Sequence, residues 1–483
     1  MANQIKIFEL KGEDFPKGLS YSSNFPLGGL YSSASNFDPF EDYGYYVPSL
    51  DTVVTDSTKT FTPTVLTSFN SSGTAYIYCH TPTKLFQVLD ASPYTTTDVT
   101  SEISVVNPVA GAGIFKGRYI YVDAAAANVY SNTIPVALGS NVAILTSGAT
   151  TEHYRTMCVA PDKNLYICDG SQIDQITNVT GTSSNTQGYY ALESGMLSRD
   201  VVNDGHYLVV VADNNGSHKI SSNGTTGNYR CQVLFYDVNN GRSTADYIYE
   251  FTDSYVTSVK LLDGAIYIFG KDNLWVCNSQ TPPKAIFSFK GNSTITEPPE
   301  RPFQVTVKGN SIHWVAESNY TYAFGSLNSG MKKVFYSPYY TASNQYCITN
   351  NGSNFYIGCD GSNQMLRVTG TGSTRSLGTF ATARQFLPQP FKFAYAKVVM
   401  KAKLSSGGSV YLGMTTLDGN ITFATTKVYS TIGAKQAIRF DIVNDTVSSV
   451  QEFNDFVLTV GSNQAIARVE VYAYPIDNYG QTV

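Results

Sequence analysis

One local setting recurs along the chain: Ala75-Tyr76-Ile77-Tyr78, Arg118-Tyr119-Ile120-Tyr121, Leu165-Tyr166-Ile167-Cys168, His206-Tyr207-Leu208-Val209, Ile266-Tyr267-Ile268-Phe269, Ile312-His313-Trp314-Val315 and Phe355-Tyr356-Ile357-Gly358. The steps between its anchors, by residue number, are 43, 47, 41, 60, 46 and 43. A period of about 40–50 residues, filled with short strands and turn residues, is the mark of a β-propeller in which each repeat is one four-stranded blade. Helical repeats of that length need apolar residues at i, i+3, i+4 and i+7, and these windows lack them. The chain therefore reads as all-β, with a propeller of about seven blades; a ring of six with one divergent unit outside it fits the same spacing.

Each window is followed by a turn and a second apolar strand, as in Leu85-Phe86-Gln87-Val88 and Met365-Leu366-Arg367-Val368, with hairpin residues such as Asp169-Gly170 between them. In the fourth repeat the partner strand, Gln232-Val233-Leu234-Phe235-Tyr236, comes late, after a polar stretch from Asp213 to Asn228. That insertion accounts for the step of 60, and loops of this length inside a compact domain are usually functional or mobile. Tyr76, Tyr119, Tyr166, Tyr207, Tyr267, His313 and Tyr356 are expected to pack blade on blade, because aromatic residues on strands ordinarily do so.

Residues 1–50 do not fit the blade pattern. They open with a strand-like Ile5-Lys6-Ile7-Phe8-Glu9-Leu10 and continue through Pro- and Gly-rich turns carrying Phe15, Phe25, Phe37, Asp38, Phe40, Tyr43, Tyr45 and Tyr46. Pro and Gly at this density interrupt regular structure, yet the aromatic content is too high for a free linker. The reading is an extended arm that lies on its own propeller or on a neighbouring subunit, with those eight residues as partner-binding candidates. The propeller occupies 51–385. Leu50-Asp51-Thr52-Val53-Val54-Thr55 and Ser376-Leu377-Gly378-Thr379-Phe380 are the two candidates for a strand that closes the ring. Beyond it, 386–483 alternates cleanly, with turns every ten to twenty residues, as an antiparallel β-sandwich does.

The search for chemistry is mostly negative. Five histidines, at 80, 153, 206, 218 and 313, show no metal-ligand spacing, and neither a nucleophile elbow nor a phosphate loop is present, since Gly111-Ala112-Gly113 leads straight into a blade. Catalytic, cofactor and metal residues are therefore assigned to none. Asp123, Asp169, Asp213 and Asp360 follow the recurrent strands and are formal candidates for paired glycosidase carboxylates, but aspartates at such places usually cap the turn. The seven cysteines lie in strand patterns and read as reduced core thiols. A net charge of −5 without a basic block disfavours a phosphate-neutralising groove. No run approaches the roughly 18 apolar residues of a membrane span, and the amino terminus lacks the pattern of a secretory signal.

The Ile7-Phe8-Glu9-Leu10 opening, the Phe25-Pro26-Leu27-Gly28-Gly29-Leu30 turn and the Asn36-Phe37-Asp38-Pro39-Phe40 to Gly44-Tyr45 segment, leading into a degenerate propeller, resemble the structural proteins of tailed bacteriophage virions. The nozzle-type tail protein of short-tailed phages is the nearest image. The resemblance implies a non-enzymatic ring subunit of the virion tail, made in the host cytoplasm and contacting other tail proteins. Such a homo-oligomer has an acidic lumen that lets DNA pass without specific binding. The alternative is a receptor- or carbohydrate-binding tail adhesin, for which stacking aromatics and amide side chains are suited.

Overall fold

The computed structural model describes residues 4–12, 31–37, 46, 52–54 and, with short breaks of which 442–451 is the longest, 61–476. Seven antiparallel four-stranded sheets follow one another along the chain. Their first strands are Val65–Ser71, Val109–Phe115, Met157–Val159, Leu197–Asn203, Val256–Leu262, Val305–Lys308 and Gln345–Asn350. Each first strand neighbours the next, and the seventh neighbours the first, so the sheets stand around one axis as the blades of a seven-bladed propeller.

Every gap between blades holds one apolar cluster. Tyr78, Tyr119 and Tyr121 fill the gap between blades 1 and 2, and Ile120, Val122 and Ile167 the next. Tyr166, Tyr190 and Leu234 follow, then Val211, Val233 and Ile268, then Phe269, Trp314 and Tyr322. Val315, Phe355 and Ile357 join blades 6 and 7, while Tyr356, Ile77 and Cys79 join blade 7 to blade 1. Successive residues of a strand point to opposite faces, so a blade buried on both sides reads as a continuous apolar run rather than an alternating one. Tyr76, Tyr166, Tyr207, Tyr267, His313 and Tyr356 face the following blade, whereas Tyr119 faces the preceding one. An offset of one residue along the strand is enough to reverse the face. Tyr207 precedes its strand, Leu208–Asp213, and is only half-buried.

The ring closes through the amino-terminal segment. Thr52–Val54 pairs antiparallel with Met365–Val368 and is the fourth strand of blade 7. The seam is reinforced from side to side: the Ser68 hydroxyl donates to the Asn350 carbonyl at 2.6 Å, Tyr356 and Asn354 donate to the Asp90 carboxylate, and the Arg367 guanidinium lies 3.7 Å from the Tyr94 ring centre. The second closing candidate, 376–380, goes elsewhere, because Gly378–Thr382 pairs with Phe453–Ser462 outside the propeller.

The sandwich expected over 386–483 takes the form of one curled ten-stranded sheet that is wider than that stretch. Ile5–Lys11, Ile466–Pro475, Gln385–Met400, Phe453–Ser462, Gly378–Thr382 and Tyr31–Ser35 pair in that order. Its two arms meet where Gln385–Met400 loses register between Phe386 and Phe391, a stretch holding Pro388 and Pro390, and they fold over a single core that includes Phe380, Phe393, Phe440, Leu458 and Val471. The amino-terminal arm thus supplies two strands to the carboxy-terminal module. Phe37 and Tyr46 are interior residues of that core, not surface groups available to a partner: Tyr46 stacks on Phe380 at 4.8 Å and its hydroxyl donates to the Lys11 carbonyl at 2.5 Å. Phe15, Phe25, Asp38, Phe40, Tyr43 and Tyr45 lie outside the described residues.

If Thr52–Val54 holds the ring shut, replacing both valines (Val53→Pro with Val54→Pro) removes the strand's donors whichever face they serve, and lowers stability by about 1–3 kcal/mol. Urea unfolding followed by tyrosine fluorescence measures this, and an unchanged midpoint would show that closure lies elsewhere.

Candidate functional site

Among the described residues the most deeply buried ion pairs of the propeller lie at the start of blades 3, 4 and 5. Arg155, immediately ahead of the first strand of blade 3, places Nη1 3.2 Å from Asp169 Oδ1 and Nη2 2.8 Å from Asp174 Oδ2, and all three side chains are buried. Arg199, on the first strand of blade 4, forms a bidentate pair with Asp213, Nε to Oδ2 at 3.1 Å and Nη2 to Oδ1 at 2.7 Å. Its remaining donors reach the carbonyls of Asn215 and His218 at 2.6 and 2.8 Å. Asp213 also accepts the amides of Asn215 and Val256, so it ties three segments together. A charge is tolerated in such an interior only when paired and hydrogen-bonded, and both arginines meet that condition with carboxylates at the end of a blade's second strand. Burial and the neighbouring Asp169 carboxylate push Asp174 up to about 7 against the pull of Arg155. Gly111 lets the Arg155 backbone come close: a Cβ there would sit 1.9 Å from the Arg155 carbonyl oxygen, while the Arg155 amide donates to Ala110 at 2.9 Å.

Polar side chains also join the first strands around the axis. The Asp200 carboxylate accepts from the Ser258 hydroxyl at 2.7 Å, the Val259 amide at 2.9 Å and the Lys260 ammonium at 2.8 Å. Asn203 donates to the Val159 carbonyl, and Asn350 to Val307. Among the described residues of the seven first strands the charged ones are Arg199, Asp200, Lys260 and Lys308. Among these described residues three are positive and one is negative.

One mouth of that channel is covered. The insertion 214–228 of blade 4 leaves the strand at Asp213 and folds back through a tight turn in which Lys219 and Ser222 pair with each other. Gly224 carries its close approach, since a Cβ there would meet the Tyr255 ring at 2.6 Å. The Tyr154 hydroxyl donates to the Ile220 carbonyl at 3.4 Å, and Ile220 packs on the cluster between blades 2 and 3. The Tyr154 ring lies 5.9 Å from Phe303, which leads into blade 6 and packs against the cluster between blades 7 and 1. Blades 3 and 6 stand nearly opposite in a ring of seven, so this contact spans the axis. His218 completes the cover, its ring 4.4 Å from Tyr255 and its Nε2 3.1 Å from the Glu300 carbonyl.

The sequence candidates fall into this picture unevenly. Asp169 and Asp213 pair with arginines, Asp123 caps its turn by accepting the Ala125 amide, and Asp360 accepts the Asn344 amide ahead of the first strand of blade 7. His80, His313, Tyr119, Tyr166, Tyr267 and Tyr356 are buried between blades, whereas Tyr76, like Tyr207, is half-buried. Arg155, Asp174, Arg199, Asp200, Lys260 and Glu300 escaped notice in the sequence. A signal for the arginines exists: Arg155 precedes Asp169, and Arg199 precedes Asp213, by the same 14 positions in consecutive repeats. Among the described residues no group of three metal-ligating side chains occurs, and no helix is long and apolar enough to cross a membrane. All seven cysteines are free thiols.

No family model matches the sequence, and no curated protein does. Solved structures resemble it in fold. Virginiamycin B lyase from Staphylococcus aureus, an enzyme, is 12% identical over 66% of this chain and 97% of its own, with a TM-score of 0.46. Hydrazine synthase from Kuenenia stuttgartiensis is 13% identical over 65% and 97%, at 0.47. The extracellular domain of a putative hybrid two component system from B. thetaiotaomicron is 12% identical over 83% and 50%, also at 0.47. These likenesses concern the propeller architecture alone.

Breaking the Arg199 pair with Asp213→Asn strands a buried guanidinium and costs about 3–5 kcal/mol, whereas the double change Arg199→Met with Asp213→Asn, which removes that charge and keeps an acceptor for the Asn215 and Val256 amides, recovers part of it; equal losses in both, read from urea unfolding, would mean that packing rather than charge is at stake. Acid should also destabilise the fold. Burial holds His80 and His313 down at about 3 and His218, beside Arg199, at about 4, against an ordinary 6.5. Unfolding lets each take up a proton, so their contribution is complete above pH 6.5 and shrinks as pH falls toward 4 and then 3, by up to about 5 kcal/mol for His80 and His313 and about 3 kcal/mol for His218. Asp174, raised to about 7, and Asp253, also raised by burial, act in the opposite sense, gaining as pH falls, but they are two groups against three. Urea midpoints at pH 7 and 5 decide it: a higher midpoint at pH 5 would refute the sign.

Proposed function

We propose that this protein is a non-catalytic structural subunit of a bacteriophage tail, of the nozzle type, working through assembly with copies of itself and with other tail proteins. The observation that carries the reading is how the chain's two ends are tied together. Ile5–Lys11 and Tyr31–Ser35 lie in the carboxy-terminal sheet, and the same amino-terminal segment then supplies Thr52–Val54 to close the propeller. A pull on the terminal sheet is thereby carried by antiparallel ladders into the seam of the ring, an arrangement suited to a part that bears load. The ionisable groups of the propeller interior support it too, because the arginines and aspartates at the channel mouth hold one another in place instead of facing a cleft.

A tail adhesin is the second reading, favoured by one surface feature. On blade 4 the exposed Tyr247 meets Tyr207 edge to face at 5.9 Å, with His206 against Tyr207 at 4.3 Å. Exposed aromatic rings of this kind offer stacking faces to sugar rings. Mass photometry and electron microscopy of the purified full chain, with and without neighbouring tail proteins, distinguish the two. A closed symmetric ring that ignores a broad glycan panel is expected. A persistent monomer that binds glycan, and loses it with Tyr247→Ala, would replace the structural reading by the adhesin.

A further inference from the structure

The covered mouth of the channel has features of a part that moves. The insertion is held firmly at its ends. Asn215 is buried, with its Nδ2 donating to the carbonyls of Thr225 and Ser254, and Ser254 Oγ in turn accepts the Gly227 amide and donates to the Gly227 carbonyl. Between these anchors the chain is braced on itself by the Lys219 and Ser222 pairing and by the Ser222 hydroxyl on the Ser217 carbonyl, so it is built to shift as a unit. Toward blade 6 its hold runs through Glu300, while on the near side Arg199 Nη1 donates to the His218 carbonyl at 2.8 Å and Tyr154 to the Ile220 carbonyl. Glu300 accepts from Asn223 Nδ2 and Lys271 Nζ through its carboxylate and from His218 Nε2 through its carbonyl.

We propose that residues 214–228 form a strap that opens and closes this mouth of the axial channel, anchored at Asn215 and Ser254 and latched on Glu300. The closed form carries a cost that opening relieves. His218 donates through Nε2, which leaves Nδ1 of the neutral ring as a bare acceptor, and this atom is buried without a partner. The Tyr255 hydroxyl, against His218, and Nε2 of Gln304, whose Oε1 accepts the Glu300 amide, are likewise buried and unpartnered. A buried polar group without a partner is costly, and water reaching the mouth would satisfy all three. Against this stand the Glu300 latch, the Arg199 bond to the His218 carbonyl and the packing of Ile220. The two sides oppose each other within one small region, which is the condition for a low-energy local opening while the blades stay folded.

The test uses the five histidines of the full-length protein as reporters, with diethylpyrocarbonate labelling followed by mass spectrometry. His206 is exposed and marks full reactivity; His80 and His313, locked between blades, mark its absence. His218 in the native chain should label measurably faster than His80 and His313, and both Glu300→Ala and Asn223→Ala should raise its rate roughly tenfold while those two stay unreactive. If Glu300→Ala does not fold, the native chain and Asn223→Ala decide the matter. His218 as inert as His80 and His313 in the native chain and in every folded variant would overturn the strap.

Discussion

Apolar burial between blades is the interaction on which everything else rests. A four-stranded blade has two apolar faces and can cover neither alone, so each is stable only between two neighbours. Seven clusters, one per gap, meet that need, and the last gap exists only because the chain returns to its beginning. The amino-terminal strand Thr52–Val54 is therefore more than an edge. It joins blade 7 to the segment that has already passed through the carboxy-terminal sheet, making ring closure and terminal module parts of one construction.

Within that frame the buried charges follow a single rule. First strands converge on the axis, where backbone packs closely and side chains from adjacent blades meet. Asp200 draws an amide, a hydroxyl and an ammonium from blade 5, while Arg155, ahead of blade 3, and Arg199, on the first strand of blade 4, each reach the end of a second strand. The raised Asp174 and the depressed His80, His218 and His313 record desolvation in the packed interior.

How far the fold was legible depended on periodicity. The seven windows announced seven blades because an inter-blade face selects large apolar residues wherever it recurs, and the step of 60 exposed the one blade with a long insertion. Tyr119 kept its place in the pattern yet faces the other way, since sequence windows register position to within a residue while faces reverse at every residue. The arm was harder to read. Phe37 and Tyr46 looked like surface anchors because nothing local says that strands near residues 380 and 466 will come to cover them. The arginine and aspartate pairs had a readable spacing, but only a folded blade reveals that both ends of that spacing are buried.

By itself the sequence determined the repeat, its all-β character and the site of the insertion, because period, turn chemistry and apolar runs are properties of neighbouring residues. Tertiary structure alone decided which terminus closes the ring, how the amino-terminal strands share a sheet with the carboxy-terminal ones, and that Tyr154 and Phe303 meet across the axis. These are contacts between segments more than a hundred residues apart, and they exist only once the blades have been arranged in a circle. Geometry of that kind leaves no periodic trace in a chain, since it is set by how many blades complete the turn.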